Sequence, residues 1–335
     1  MSERGLALVT GANGFVGSFL TQALLEAGYR VRCMVRRNSD LRFISDLPVE
    51  WAYADVRDAE GLRQACRGVR WVCHCAALTR APDRETFFAV NALGAEAMGR
   101  AALEGSPDLE RFLHISSHAA IGPATAEDEY LEESAPPHPV TWYGESKWAA
   151  EQALRAMDGR DGSPSLPLTI VRPSAVFGPR DTDFFAYFQL VQAGLRIELG
   201  RGERWLSLIY VADLADLCLR ALESDAALGQ TYFGCGTSQT QAEFSLAIAQ
   251  ALSKHTVQIR LPEWMLEPIK FAANVQQRLL GRTPLLNEQR IVDMQQRYWL
   301  CSGEKARREL GFQARYDLPT AVQETAAWYR ENGWL

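Results

Sequence analysis

The 335-residue chain predicts an α/β protein built on a doubly wound parallel sheet, with a smaller, mostly helical C-terminal lobe. Three observations predict it. Apolar runs of strand length alternate with segments of helical period through the first half of the chain. A glycine-rich turn separates the first run from the first helical segment. After Pro173 the alternation loosens, and helical patterns dominate.

Leu6–Val9 is the first strand, ended by Thr10-Gly11. Phe15–Ala27 has helical spacing at Phe15, Val16, Phe19, Leu20, Ala23, Leu24 and Ala27, and stops at Gly28. Tyr29–Val35 is a second strand with Val31, Cys33 and Val35 on one face. Val49–Tyr53 is a third, followed by a helix near Ala59–Cys66, and Val69–Ala76 is a fourth. A long helix fits Thr86–Glu104, a fifth strand Arg111–Ser116, a helix Tyr143–Met157 and a sixth strand Leu168–Arg172. The Gly- and Ser-rich stretch Asp158–Ser165 is an exposed loop. Further on, helices fit Asp183–Ala193, Val211–Glu223, Gln241–Leu252, Glu263–Leu280 and Thr320–Asn332, and short strands fit Glu203–Ile209 and Gln230–Phe233. This is a Rossmann-type body over residues 1–175, to which 205–235 return, with 176–335 forming most of a substrate lobe.

Composition excludes several classes. The chain is 47% hydrophobic and 23% charged, ordinary for a soluble globular protein. Its 35 basic and 41 acidic residues give a net charge of −6 and no basic stripe for nucleic acid. No apolar run reaches the roughly 20 residues that span a bilayer. Met1–Gly5 runs into a strand instead of a secretory leader, so the expected location is cytoplasmic. Cys33, Cys66, Cys73, Cys75, Cys218, Cys235 and Cys301 form no disulfide or zinc spacing. Cys73-His74-Cys75 lies in an apolar strand, where both thiols share one face and pack as small hydrophobes, so no metal is expected.

Gly11-Ala12-Asn13-Gly14-Phe15-Val16-Gly17 lies between the first strand and the first helix. Glycines there permit a tight turn and bring backbone N–H groups to a dinucleotide pyrophosphate at the helix N-terminus. An acidic residue about 20 residues further on would bind the ribose hydroxyl of NAD. The second strand instead ends Met34-Val35-Arg36-Arg37-Asn38, and a guanidinium at Arg36 suits a 2′-phosphate. NADP(H) is therefore favoured, with NAD(H) the alternative. Asp55-Val56 after the third strand faces the adenine edge, and Ala76-Ala77 after the fourth lets the cofactor approach the backbone.

Tyr143-Gly144-Glu145-Ser146-Lys147 places a phenol and an ammonium on one helix face. The ammonium is expected to lower the phenol's pKa, so that Tyr143 exchanges a proton with a carbonyl or alcohol oxygen. Lys147 could also bond the nicotinamide ribose. A serine in His114-Ile115-Ser116-Ser117-His118, at the end of the fifth strand, could orient the reacting oxygen; the residues leave open which serine.

These motifs, together with Arg172-Pro173-Ser174-Ala175-Val176-Phe177-Gly178-Pro179, resemble the extended short-chain dehydrogenases/reductases. That family includes nucleotide-sugar epimerases and dehydratases, dihydroflavonol-type reductases and 3β-hydroxysteroid dehydrogenases. The resemblance covers nearly the whole chain, with late signatures at Tyr210–Ala215 and Lys305–Phe312. It implies that the active serine is Ser117, five residues before Gly122. It also implies that Pro173 and Ala175, Val176 and Phe177 line the nicotinamide, and that Asn91 is a polar position on the long helix. His118-Ala119 stands where the 4,6-dehydratases carry an acidic pair, which removes that reaction. Arg36 matches the reductase branch better than the NAD-bound epimerases. Relatives often form homodimers through helices of the body.

Phe184, Phe185, Tyr187, Phe188, Trp205, Trp264, Met265 and Phe271 concentrate aromatic and sulfur side chains in the substrate lobe. They fit either helix core or a pocket for an apolar or ring-containing carbonyl compound. Pro262–Pro268 could open a helix that caps the pocket or rests on a membrane surface. Arg180 and Arg204 could meet a nucleotide-sugar phosphate, and His118 could touch substrate. The expected activity is NADP(H)-dependent hydride transfer at a ketone or secondary alcohol. An NAD-dependent nucleotide-sugar epimerase and a non-catalytic nucleotide sensor are the competing readings.

Overall fold

The alternation of apolar runs becomes one seven-stranded parallel sheet in the computed structural model, which describes residues 4–160, 162, 164–266, 268 and 288–335. In chain order the body runs β1 (Arg4–Thr10), α1 (Phe15–Glu26), β2 (Tyr29–Val35), β3 (Glu50–Tyr53), α2 (Ala59–Cys66) and β4 (Trp71–His74). It continues with α3 (Arg84–Phe87), a π turn (Phe88–Ala92), α4 (Leu93–Gly105), β5 (Arg111–Ile115), α5 (Trp142–Arg155) and β6 (Leu168–Pro173). The rest comprises β7 (Ala175–Phe177), α6 (Phe185–Gln192), β8 (Leu195–Leu199), β9 (Trp205–Tyr210), α7 (Val211–Glu223), β10 (Thr231–Gly234), β11 (Thr237–Thr240), α8 (Gln241–Leu252) and β12 (Val257–Leu261). Then come α9 (Glu288–Gln295), β13 (Tyr298–Trp299), α10 (Glu304–Leu310) and α11 (Leu318–Glu331).

The sheet order is β3-β2-β1-β4-β5-β6-β10, every neighbouring pair parallel. Successive residues of each strand feed opposite cores. Val9, Val31, Cys33, Cys73 and Leu113 pack with Leu20 and Leu24 of α1 and Leu214, Leu217 and Cys218 of α7. Leu8, Val72, Phe112 and Ile170 pack with Leu62 of α2, Met98 and Ala102 of α4 and Leu154 of α5. Helices on both faces bury the sheet twice, which is why its strands read as continuous apolar runs. The strand order reverses between β1 and β4, so a crevice opens beyond their C-terminal ends.

The C-terminal lobe is helical as expected and adds short strands to its helices. β9 pairs with β7, β11 and β13 in a four-stranded mixed sheet, and β8 pairs with β12. β7, β11 and β13 are two to four residues long, and β11 is Thr-Ser-Gln-Thr, so these three carry no period-two apolar signal; β8 (Leu-Arg-Ile-Glu-Leu) and β12 (Val-Gln-Ile-Arg-Leu) do alternate, a signal missed in the sequence. The long helix near Asn91 is split by its π turn. Of the helix expected at Glu263–Leu280, Glu263–Met265 forms one 3-10 turn with Trp264 exposed. Leu266 is buried, while 267 and 269–280, with Phe271, lie outside the described residues. Among the described residues no helix is long and apolar enough to cross a membrane, and no three His, Cys, Asp or Glu side chains are grouped to hold a metal ion.

Candidate active site

The turn after β1 is built by steric need. Gly11 has φ +63°, and a Cβ there would lie 2.9 Å from the Ala76 backbone. A Cβ on Gly17 would lie 2.2 Å from the Gly11 carbonyl oxygen. Glycine at both positions lets β1, the start of α1 and the end of β4 close on one another. The Thr10 hydroxyl locks the same point: it accepts from Ala76 N at 3.1 Å and pairs with His74 Nδ1 at 2.8 Å. Helix α1 begins at Gly14 with no side-chain cap and no acidic residue in its first turn. Its free N–H groups and positive dipole end suit a pyrophosphate. Asn13 and Phe15 line the same turn, and Val16 packs on the core beside α1.

At the outer end of the crevice, Arg36, Arg37, Asn38, Tyr53, Asp55 and Arg57 surround one depression. Arg57 holds both carboxylate oxygens of Asp55, at 2.7 and 3.0 Å, and keeps that carboxyl below its usual range. Arg36 and Arg37 remain exposed. Val56 turns inward against Gly94 of α4. Ala76 and Ala77 lie past β4, and Pro173, Ala175 and Val176 carry the chain from β6 into β7, opposite them across the sheet order.

The reactive groups meet at the start of α5. Thr141 caps this helix through Gly144 N at 3.1 Å, which seats Tyr143 in the first turn. The Ser117 hydroxyl accepts from Ala119 N at 3.1 Å and lies near enough to the Tyr143 phenol to draw its pKa down. Ser116 is not available: its hydroxyl donates to Glu151 at 2.5 Å inside a buried cluster. There Arg172 grips Glu151 at 2.9 and 2.8 Å. The two serines are thus told apart by the partner each one faces.

The expected effect of Lys147 on the phenol is corrected. Burial, first of all, pushes the Tyr143 pKa up; the Ser117 hydrogen bond draws it down, and the Asp293 charge adds to the rise. The Lys147 ammonium, one helical turn on, donates to the Ile115 carbonyl at 2.6 Å and does not offset that burial. Burial also pushes the Lys147 pKa down, to about 8. The site therefore holds a protonated phenol at neutral pH, beside a hydroxyl and one turn from a buried ammonium. Such a set can give a proton to a carbonyl oxygen.

A sequence profile described as the NAD dependent epimerase/dehydratase family matches residues 7–233, more than half of the chain. The chain belongs to that family. Its members named here run nearly end to end with it. "Sterol demethylase protein B" of Methylococcus capsulatus is 29% identical, covering 98% of this chain and 99% of the relative. "Ceramide reductase" of Caulobacter vibrioides is 29% identical, covering 99% and 96%. The crystal structure of gox2253 superposes with a TM-score of 0.82 at 29% identity, covering 98% of this chain and 99% of that one. The protein is accordingly an NAD(P)-dependent enzyme of the extended short-chain dehydrogenase/reductase type.

Several residues expected at this family's site are engaged elsewhere. Asn91 is 1% exposed, and both ends of its amide are used: it accepts from Leu78 N at 2.7 Å and donates to Leu78 O and the Ser146 hydroxyl, each at 2.9 Å. It ties the loop after β4 to α5 instead of meeting a cofactor. Phe177 is 2% exposed and packs edge-on to Phe184, Tyr210 and Phe244 in the second lobe's core. Arg204 is buried on the carbonyls of Leu199, Gln295 and Gln296 and on Glu263, so no phosphate reaches it. Arg180 lies over the rings of Phe19 and Phe43 and bonds the Ser18 hydroxyl at 3.0 Å, which pins it to α1. His118 is buried between Phe233 and Trp299, its pKa pushed down to about 3 by burial, so it is neutral. Phe184 stacks on Tyr187, whose hydroxyl accepts from Gln241 at 3.2 Å.

Sequence reasoning missed a polar group in the cleft. Arg80, after β4, pairs with Asp183 before α6. Arg290 and Asp293 project from α9, whose helical pattern follows the 269–287 stretch. No local motif marks them, because their meeting depends on how the second lobe folds back.

Proposed function

We propose that the protein is an NADP(H)-dependent oxidoreductase that interconverts a ketone and a secondary alcohol, with Tyr143 as general acid and base. The observation that carries this reading is the half-buried Tyr143 phenol, which keeps its proton at neutral pH and lies close enough to Ser117 for that hydroxyl to draw its pKa down. The turn Gly11–Gly17 suits the pyrophosphate, and Arg36 and Arg37 suit a 2′-phosphate. Asp55, the carboxylate nearest that end, is already neutralised by Arg57. The nicotinamide group, when bound, supplies or accepts the hydride.

The side chains account for the proton. In the reducing direction the Ser117 hydroxyl and the Tyr143 phenol both donate to the carbonyl oxygen, and Tyr143 gives up its proton as negative charge develops there. Lys147, charged below about pH 8, offers the positive charge that favours the phenolate left behind. The relative named a ceramide reductase favours net reduction over cofactor recycling.

Purified protein should consume NADPH faster than NADH with members of a ketone panel. Tyr143→Phe should lower kcat by about 10²–10⁴-fold while NADPH binding is retained. Conversion of a nucleotide sugar with no net NADPH consumption would overturn the reading in favour of an epimerase.

A further inference from the structure

We infer that Asp293 is the specificity-determining group of the substrate cleft, and that its carboxylate accepts a hydrogen bond from a neutral hydroxyl beside the reacting ketone. This deepens the reductase reading above and rests on it.

The placement of Asp293 is fixed from both sides of the reactive pair. Gln289 Oε1, on the same helix, accepts from Trp142 N at 2.7 Å, one residue before Tyr143. Trp299 donates its indole N–H to the Asp293 carbonyl oxygen at 3.2 Å, and its ring stands edge-on to His118, the neighbour of Ser117. The Asp293 charge reaches both Tyr143 and Tyr187. Its side chain is 32% exposed on the side of those two tyrosines, and burial raises its pKa. Among the described residues no hydrogen-bond donor reaches its oxygens; Arg290 Nη1 stands 3.6 Å away. A carboxylate desolvated to this degree gains from any donor a substrate brings.

The surrounding charges select what kind of donor. Arg80 is paired with Asp183, and Arg290 stands beside Asp293. Burial pushes the Asp181 carboxyl up to about 7, so it is about half protonated near neutrality. Among the described residues two cations thus face two carboxylates and a partly neutral third, so the group carries no surplus positive charge for a phosphate. It suits an uncharged O–H group, and a carboxylate can only accept from it.

The test pairs a medium-chain 1-hydroxy-2-alkanone with the 2-alkanone of equal length, using NADPH and wild type, Asp293→Asn and Asp293→Ala. Wild type should favour the hydroxyketone by roughly tenfold or more in kcat/KM. Asp293→Ala should abolish that preference and Asp293→Asn should narrow it. NADPH affinity should stay within about threefold in both variants, and any change in Tyr143 acidity should move both ketones alike, so the ratio of their kcat/KM values is the readout. Wild-type turnover without preference, or equal loss on both ketones in the variants, overturns the assignment of Asp293 alone. NADPH consumption with neither ketone overturns the reductase reading and this one together.

Discussion

Burial outweighs pairing at the reactive residues. It raises the Tyr143 pKa, so the phenol holds its proton at neutral pH, and it depresses Lys147 to about 8. The Lys147 value lies below the ordinary lysine range, so its charge is present at lower pH and is lost as pH rises through about 8. Reductive kcat/KM should therefore fall above about pH 8, in the range where a free lysine would still be charged. A profile flat up to the ordinary lysine range would contradict this role. Tyr143 and Lys147 could be picked out in the sequence from their spacing, whereas the residues left Ser116 and Ser117 open and only the family resemblance pointed to Ser117. Asn91, His118 and Arg204 are held by partners far away in the chain, Ser146, Trp299 and Gln295 respectively, which no local spacing shows. Asp293 was invisible for the same reason.

Helix α5 does two jobs at once. One face presents Tyr143 to the cleft, and another buries Glu151 against Arg172, Arg155 and Ser116. The Glu151 carboxylate is wholly buried, yet its pKa is low, because two arginines and a hydroxyl outweigh the burial that opposes them. Glu151→Leu should cost about 3–5 kcal/mol, since it strands Arg172 inside the protein. Urea unfolding reads this; a loss under about 1 kcal/mol would mean that the cluster does not hold α5 to β5 and β6. The helix itself was legible from its period, and the body's strands from their apolar runs. The π turn that brings Asn91 onto Leu78 was not, because it leaves the apolar spacing nearly unchanged.

Across the whole molecule, the parallel sheet sets the cofactor crevice, and the second lobe supplies what faces it. The body could be read from sequence because burial on both faces makes each strand apolar throughout. In the second lobe helices α6, α8 and α11 and strand β9 were legible, but the pairing of β11 with β9 and of β12 with β8 was not, because short strands joined at long range carry no local sign of their partner. Its aromatic residues divide between core and cleft: Phe177 and Phe188 fill the lobe, while Tyr187 feels the charges of Arg290 and Asp293. Tyr329 of α11 also donates to the Asp181 carbonyl at 2.7 Å, tying the C-terminal helix to the loop that holds the charged group. The central claim is that this assembly performs net hydride transfer from NADPH to a carbonyl carbon. Turnover with NADPH deuterated at the nicotinamide C4, followed by mass analysis of the product, tests it most directly. One deuterium should appear on the carbinol carbon for each NADPH consumed; an isomerised product without deuterium and with NADPH unspent would contradict it.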